Sequence, residues 1–310
     1  MKKLIILIVS AMILVACDTQ EKLRQRAAEL CQYIPDHQLS EQARDFMTAD
    51  FYAVLDTMFN LLPEYDVMDH EWLYFMVSGN GGTTPDFEVT AIELVDRTHA
   101  VATVAVRQKW EDGSFDENSG TTEHKMYMEQ IDGRWLMSDF DGSKQECLSY
   151  LESFRMEQAL RDAISDYLVK EVGVHYLQGE FCAPQMMIAY ADVAEQVDSA
   201  QVWGDFWVFW YQLSGDTLKT VSGGNHSGCM TIKKKEGKPV VTAFEQTVDG
   251  AGNEASAKRI FGSHYDAYQC IHSDAAVREL VRREQLRDFV RRNGMSARCY
   301  QDFGWPAVEL

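Results

Sequence analysis

Asp205 stands in the run Trp203-Gly204-Asp205-Phe206-Trp207-Val208-Phe209-Trp210-Tyr211, the densest aromatic stretch of the sequence. A carboxyl group held among aromatic rings keeps its proton to higher pH than one in water, which is what a general acid or base near neutral pH requires. In an extended strand alternate residues share a face, so Trp203, Asp205, Trp207, Phe209 and Tyr211 stand together and Val202, Phe206, Val208 and Trp210 stand opposite. His175 and His226 are the candidate partners for proton transfer with Asp205. Trp203, Trp207 and Tyr211 are the candidate ligand-binding surface. The plainer reading is that the aromatics fill core and that Gly204-Asp205 is a bulge with a solvated acid.

Other clusters carry less. The segment Ser222-Gly223-Gly224-Asn225-His226-Ser227-Gly228 has the glycines of an anion-cradling loop. It lacks a Gly-Lys-Ser/Thr ending and lies between strands, so it reads as the turn joining the two middle strands. Ser222 or Cys229 beside His226 suggests a nucleophile and a base, but no Gly-x-Ser-x-Gly elbow is present. Asp112, Asp116, Glu117, Asp139 and Asp141 are spaced like ligands of a hard cation, without the EF-hand pattern, and read as solvated surface. With no Cys-x-x-Cys or Cys/His cluster, neither a metal nor a cofactor is expected. Arg278, Arg282, Arg283, Arg287, Arg291 and Arg292 share one helical stretch, where Glu279 to Arg283 and Asp288 to Arg292 form i,i+4 pairs; they read as a solvated ion-pair face.

A strand apolar on both alternating faces must be covered on both sides, so Val202 to Tyr211 belongs inside a sheet. Around it, Met156 to Val172 is an amphipathic helix and Met186 to Ala191 a short strand. Leu213 to Thr217 and Lys235 to Lys238 are tight turns. The first half has the same order. Ser40 caps a long helix running through Phe46, Leu55 and Met58 to Leu62, ahead of the aromatic patch Trp72 to Phe75. Strands follow at Phe87 to Val95, His99 to Trp110, Glu123 to Ile131 and Arg134 to Phe140, with Asp132-Gly133 as a hairpin turn. After the second set of strands come short helices near Glu254 to Phe261 and Tyr265 to Ile271. A longer helix capped at Ser273-Asp274 precedes the aromatic terminus Tyr300 to Pro306. The fold class is therefore α+β in two domains, each a long helix on a curved antiparallel sheet, over residues 40–145 and 155–310. The second has extra C-terminal helices, and residues 17–39 are a tether that becomes helical.

The chain has 310 residues, 46% of them hydrophobic, and a formal net charge of −19. That excess repels phosphate backbones, so nucleic acid is excluded as an expected partner. Lys2 and Lys3 precede an apolar run, Leu4 to Leu14, too short to span a bilayer. Leu14-Val15-Ala16-Cys17 resembles the lipobox of bacterial lipoproteins. The resemblance implies a signal peptide over residues 1–16, acylation of Cys17, and a membrane partner engaged through that anchor. It places the protein in the bacterial cell envelope, on the periplasmic face or the cell surface. Of the six remaining cysteines, Cys31 and Cys147 bracket the first domain and are the candidate disulfide pair, with free thiols the alternative.

One long helix wrapped by a curved antiparallel sheet resembles the nuclear transport factor 2-like and cystatin-like α+β cone, and Met126 to Phe140 is similar to its last hairpin. Two readings follow: a non-catalytic module that binds a small ligand or partner protein, or a lyase or isomerase of the cone-fold kind using Asp205 with His175 or His226.

Overall fold

The computed structural model describes residues 20–35, 39–61, 77, 82–193 and 199–310. The chain divides into two compact units, Met1–Ser153 and Phe154–Leu310. Each is an α+β assembly with its own sheet. The lipobox-like residues Leu14 to Cys17, the signal segment before them and the aromatic patch Trp72 to Phe75 lie outside the described residues.

In the first unit, residues 20–31 form helix α1. Leu23, Ala27 and Leu30 recur at helical spacing and are buried, so the segment expected as a tether turns an apolar stripe into core. Ser40 caps as expected, its hydroxyl accepting the Gln42 backbone N–H. What it caps is a short 3-10 turn, Glu41–Asp45, and helix α2, Ala49–Leu61, starts only after it. The sheet explains the interruption. Thr48 donates its N–H to the Met137 carbonyl at 2.8 Å and Phe46 accepts from Met137 N–H at 2.9 Å, so the backbone between the two helical pieces is used by a strand.

Strands β1 (Thr83–Leu94), β2 (His99–Trp110), β3 (Thr121–Ile131) and β4 (Arg134–Phe140) follow in antiparallel order β1-β2-β3-β4. Asp132 and Gly133 both take positive φ, 51° and 78°, the requirement of the tight hairpin that joins β3 to β4. Bulges in the β1–β2 and β3–β4 pairings add local bend and twist. Phe51, Leu55 and Met58 of α2 pack with Ala102, Val104, Met126 and Met128 of the sheet.

The expected Cys31–Cys147 bridge is corrected here, because both residues are free thiols buried in this core. Burial pushes each thiol up to about 12, and they act as small apolar side chains. Cys270 is a free thiol that is exposed. Alkylation of native protein should modify Cys270 first, and Cys270→Ser should remove the fast phase. Rapid modification of Cys31 or Cys147 without unfolding would contradict this core.

Helix α3, Ser143–Tyr167, spans the division between units and runs into one π-helical turn, Leu168–Val172. Strands β5 (Phe181–Val193), β6 (Ser199–Ser214), β7 (Thr217–Lys235) and β8 (Lys238–Gln246) come next. Helices α4 (Asn253–Phe261), α5 (Tyr265–Ser273) and α6 (Ala275–Arg292) follow, then β9 (Cys299–Gln301) and β10 (Val308–Glu309). Asp274 is the N-cap of α6, accepting the N–H groups of Ala276 and Val277. The second sheet runs β10-β9-β7-β6-β5, with β8 also on β7. Its pairings are antiparallel except for β9, which lies parallel to β7.

Strand β6 lies between β5 and β7, as its two apolar faces require. On one face Val202, Phe206 and Val208 meet Ile164, Leu168 and Val172. On the other, Tyr211 packs with Leu286, Val290 and Tyr300, and Trp203 with Ile260, Phe261 and Tyr268.

Ser222 to Gly228 does not form the expected turn; it lies inside the 19-residue strand β7. The glycines serve close approach rather than reversal. A Cβ on Gly223 would stand 2.2 Å from the Val208 carbonyl oxygen, and one on Gly224 2.2 Å from the Tyr176 hydroxyl. Backbone cannot yield to such a contact without shifting a strand. Gly223→Ala should therefore cost about 1–3 kcal/mol of stability in denaturant titration, whereas Gly215→Ala, in an open turn, should disturb only its own backbone.

Candidate functional site

The face of β6 that carries Asp205 is covered by the C-terminal helices and holds a connected polar layer. Strand alternation sets Asp205 on that face, and the β6–β7 register pairs it with Ser227. Asp205 is 0% exposed. Its Oδ1 accepts from Ser227 Oγ at 2.6 Å and from the Asn225 amide. Its Oδ2 faces His272 Nδ1 at 3.1 Å. Behind Ser227, the Tyr268 hydroxyl donates to Ser227 Oγ at 3.2 Å.

Helix α5 supplies the covering residues because Tyr268 and His272 are four apart and so share a helical face. The rings of Phe261 and Tyr268 stack at 4.1 Å, and those of Tyr268 and His272 at 4.9 Å. With the carboxylate accepting, a neutral His272 carries its proton on Nδ1, which leaves the Nε2 lone pair free. The His272 side chain is 35% exposed. Chemically this is an oriented imidazole, able to take a proton or hold a polar ligand at its outer edge. The Ser-Asp-His order is not that of a nucleophilic relay, in which the histidine stands between the other two.

The histidines expected to serve Asp205 do not. Phe206 pairs with His226 in the β6–β7 register, so His226 projects from the opposite face. Both its ring nitrogens are engaged, Nε2 with the Tyr176 hydroxyl at 2.9 Å and Nδ1 with Gln246 Oε1 at 2.8 Å. His175 ends a 3-10 turn and is exposed. The short helix was expected to end at Ile271, one residue before His272; carried on to Ser273, as it is in the structure, it sets Tyr265, Tyr268 and His272 in one stripe, the signal that could have identified the true neighbour.

Of the expected ligand-binding aromatics, Tyr211 is fully buried and Trp203 is half-buried, its indole N–H donating to the Ile260 carbonyl at 2.9 Å. The Trp207 indole nitrogen is buried without a hydrogen-bond partner among the described residues. These rings fill core more than they line an opening. Tyr190 is the exposed aromatic nearby, stacked on His264 at 3.8 Å.

A second polar group sits further along the same face. Arg282, expected on a solvated surface, is only 8% exposed. It donates to both carboxylate oxygens of Asp302, Nη2 reaching Oδ1 at 2.7 Å, and to the Tyr211 hydroxyl at 3.0 Å. Its guanidinium lies 4.5 Å from the Phe209 ring centroid and 4.6 Å from that of Tyr300. Burial alone would raise the Asp302 carboxyl, but the bonds from Arg282 and Thr220 hold it below its usual range.

Among the described residues no group of three or more His, Cys, Asp or Glu side chains could hold a metal. Of the acidic residues considered for calcium, Asp112 and Asp116 bind the backbone and hydroxyls of their own turns, Asp139 caps the start of α3, and Asp141 holds His124 and the Lys125 N–H. A shallow recess in the first unit is lined by Gln20, Glu21, Arg24 and Ile92.

No protein-family model matches the chain, and no curated protein matches it. One solved structure that does is described as an "Ntf2 like protein involved in plasmid conjugation", with 11% identity, covering 76% of this chain and 99% of that chain, at a TM-score of 0.19. A likeness that distant carries no argument about function.

Proposed function

We propose that the chain is a lipid-anchored protein of the bacterial cell envelope. Its α+β units serve as a non-catalytic binding or interaction module for a small ligand or a partner protein. The observation that carries the non-catalytic part is the state of Asp205. The strongest candidate for a reacting group is wholly enclosed, and both its oxygens are engaged by Asn225, Ser227 and His272. An acid so engaged fixes the sheet to the helices that cover it. Anchoring rests on the lipobox-like Leu14 to Cys17, and the cone-like ancestry on the order of helix and strands in each unit.

The anchor is tested by growing cells with labelled palmitate. Label should enter the protein and disappear with Cys17→Ala. The module is tested by offering the purified protein a broad panel of small carbonyl and hydroxylated substrates. If turnover appears and Asp205→Asn abolishes it, the non-catalytic reading is lost. One observation favours the lyase or isomerase alternative: the Asp205–His272 pair orients an imidazole whose outer nitrogen makes no hydrogen bond among the described residues.

A further inference from the structure

The first unit holds a second pairing of carboxylate and imidazole, and here a hydroxyl completes it. Thr122 and His124 are two apart on β3 and share a face. Thr122 Oγ1 lies 2.8 Å from His124 Nε2, and His124 Nδ1 lies 2.6 Å from Asp141 Oδ2. The histidine stands between the other two, the order that the group of Ser227, Asp205 and His272 lacks. A hydroxyl in contact with a base that a third group orients is the arrangement of an activated nucleophile.

Each part is held in place. The Asp141 N–H donates to the Lys125 carbonyl at 2.8 Å, and Asp141 Oδ1 accepts the Lys125 N–H at 2.5 Å, so the residue after β4 stays fastened to β3. Its φ of 53° is a conformation that aspartate tolerates. The His124 ring stacks on Phe140 with centroids 5.4 Å apart, and the side chain is 14% exposed. With the ionised carboxylate accepting from Nδ1–H, the neutral ring turns its Nε2 lone pair to the Thr122 hydroxyl, which donates to it. Thr122 itself is exposed, so a ligand in solution reaches Oγ1. Packing alone gives no reason for that partner, since water would serve an exposed Nε2 edge as well.

We propose that Thr122 is a nucleophile that accepts an acyl group from activated esters and thioesters, so that capture of such a ligand by the first unit ends in a covalent bond. Oγ1 adds to the acyl carbonyl as its proton passes to His124 Nε2. The tetrahedral adduct then collapses, the bond from carbon to the leaving oxygen or sulfur breaks, and Nε2 returns the proton to that atom. The products are an ester on Thr122 and a free phenol, alcohol or thiol, with no change of oxidation state. Activated acyl groups are the fitting class because a good leaving group asks least of the surroundings for stabilising the adduct's charge. This goes beyond the binding reading above and does not rest on the anchor or on Asp205.

The probe is p-nitrophenyl acetate, offered to the full chain carrying Cys270→Ser, which removes the exposed thiol. Thr122→Val keeps the branched shape without the hydroxyl and should release nitrophenol about tenfold or more slowly than this parent. After an acid quench, mass spectrometry should place acetyl on Thr122. Hydroxylamine should remove it, since it cleaves esters and spares lysine amides. Asp141→Asn still accepts the Lys125 N–H and suits the positive φ, but its amide turns N–H toward His124 Nδ1. Nitrogen-15 shifts should therefore show the His124 proton on Nδ1 in the parent and on Nε2 in Asp141→Asn. Release should slow about tenfold or more in that variant while the melting temperature stays the same. Equal release by the parent and Thr122→Val, or acetyl found on lysines alone, would overturn the proposal. Unchanged release in Asp141→Asn with the tautomer moved would overturn it too.

Discussion

Replacing Arg282 with methionine is expected to destabilise the second unit by about 3–5 kcal/mol, the scale for removing one partner of a buried ion pair. The guanidinium is the centre of its group. It holds Asp302 with two hydrogen bonds, donates to the Tyr211 hydroxyl, and fills the space between the Phe209 and Tyr300 rings. Methionine retains part of that volume but leaves the Asp302 carboxylate half-buried with Thr220 as its remaining donor. The loss therefore comes from an uncompensated charge more than from a cavity. Removing both charges should recover much of it, so Arg282→Met with Asp302→Leu should be less damaging than Arg282→Met alone. Urea titration followed by tryptophan emission, to which this unit contributes Trp203, Trp207, Trp210 and Trp305, reads the transition. Equal midpoints for parent and Arg282→Met would show that the pair carries no stability.

The same pair sets a dependence on pH. Asp302 is held below its usual range in the folded protein, so its stabilising share is present above the unfolded value of about 3.9. It is lost as pH falls through the folded value. The gap between parent and Arg282→Met should stay constant from neutral pH to about pH 5 and close progressively below about pH 4. A gap that closed instead on raising the pH would mean that another group controls it.

What was legible in the sequence follows a physical division. Short-range signals read correctly: the Asp132-Gly133 turn, the Asp274 cap, and the two apolar faces of β6 that require cover. The α+β class followed from these. Signals that depend on distant partners did not. Arg282 shares its spacing with five other arginines, and only Tyr211, 71 residues earlier, and Asp302, 20 residues later, make it a buried residue. Glycines in Ser222 to Gly228 look the same whether they reverse a chain or admit a neighbour, and the neighbours are Val208 and Tyr176. His272 lies 67 residues from Asp205 and belongs to a helix whose docking face the local pattern does not specify. His226, much closer in sequence, was excluded by register alone.

Substitutions at Asp205 separate its two readings, because alanine and asparagine act on different things. Asp205→Ala removes the acceptor for Ser227, Asn225 and His272 at a site without solvent. Stranded buried donors cost about 1–3 kcal/mol each, partly relieved by local rearrangement, so a net loss of about 2–4 kcal/mol is expected. Asp205→Asn preserves shape and still accepts from Ser227. Its amide, however, now turns N–H toward His272 Nδ1, which drives the proton to Nε2. Stability should fall by only about 1 kcal/mol. If the pair orients a catalytic base, the wrong tautomer removes the lone pair the reaction needs, and turnover should drop by about 10³–10⁴-fold in a protein that remains folded. If Asp205 is a fastener between sheet and helix, Asp205→Asn should retain ligand or partner binding while Asp205→Ala weakens it in proportion to lost stability. Melting and binding measured on the same two variants distinguish the cases, since a fastener ties function to stability and a dyad separates them.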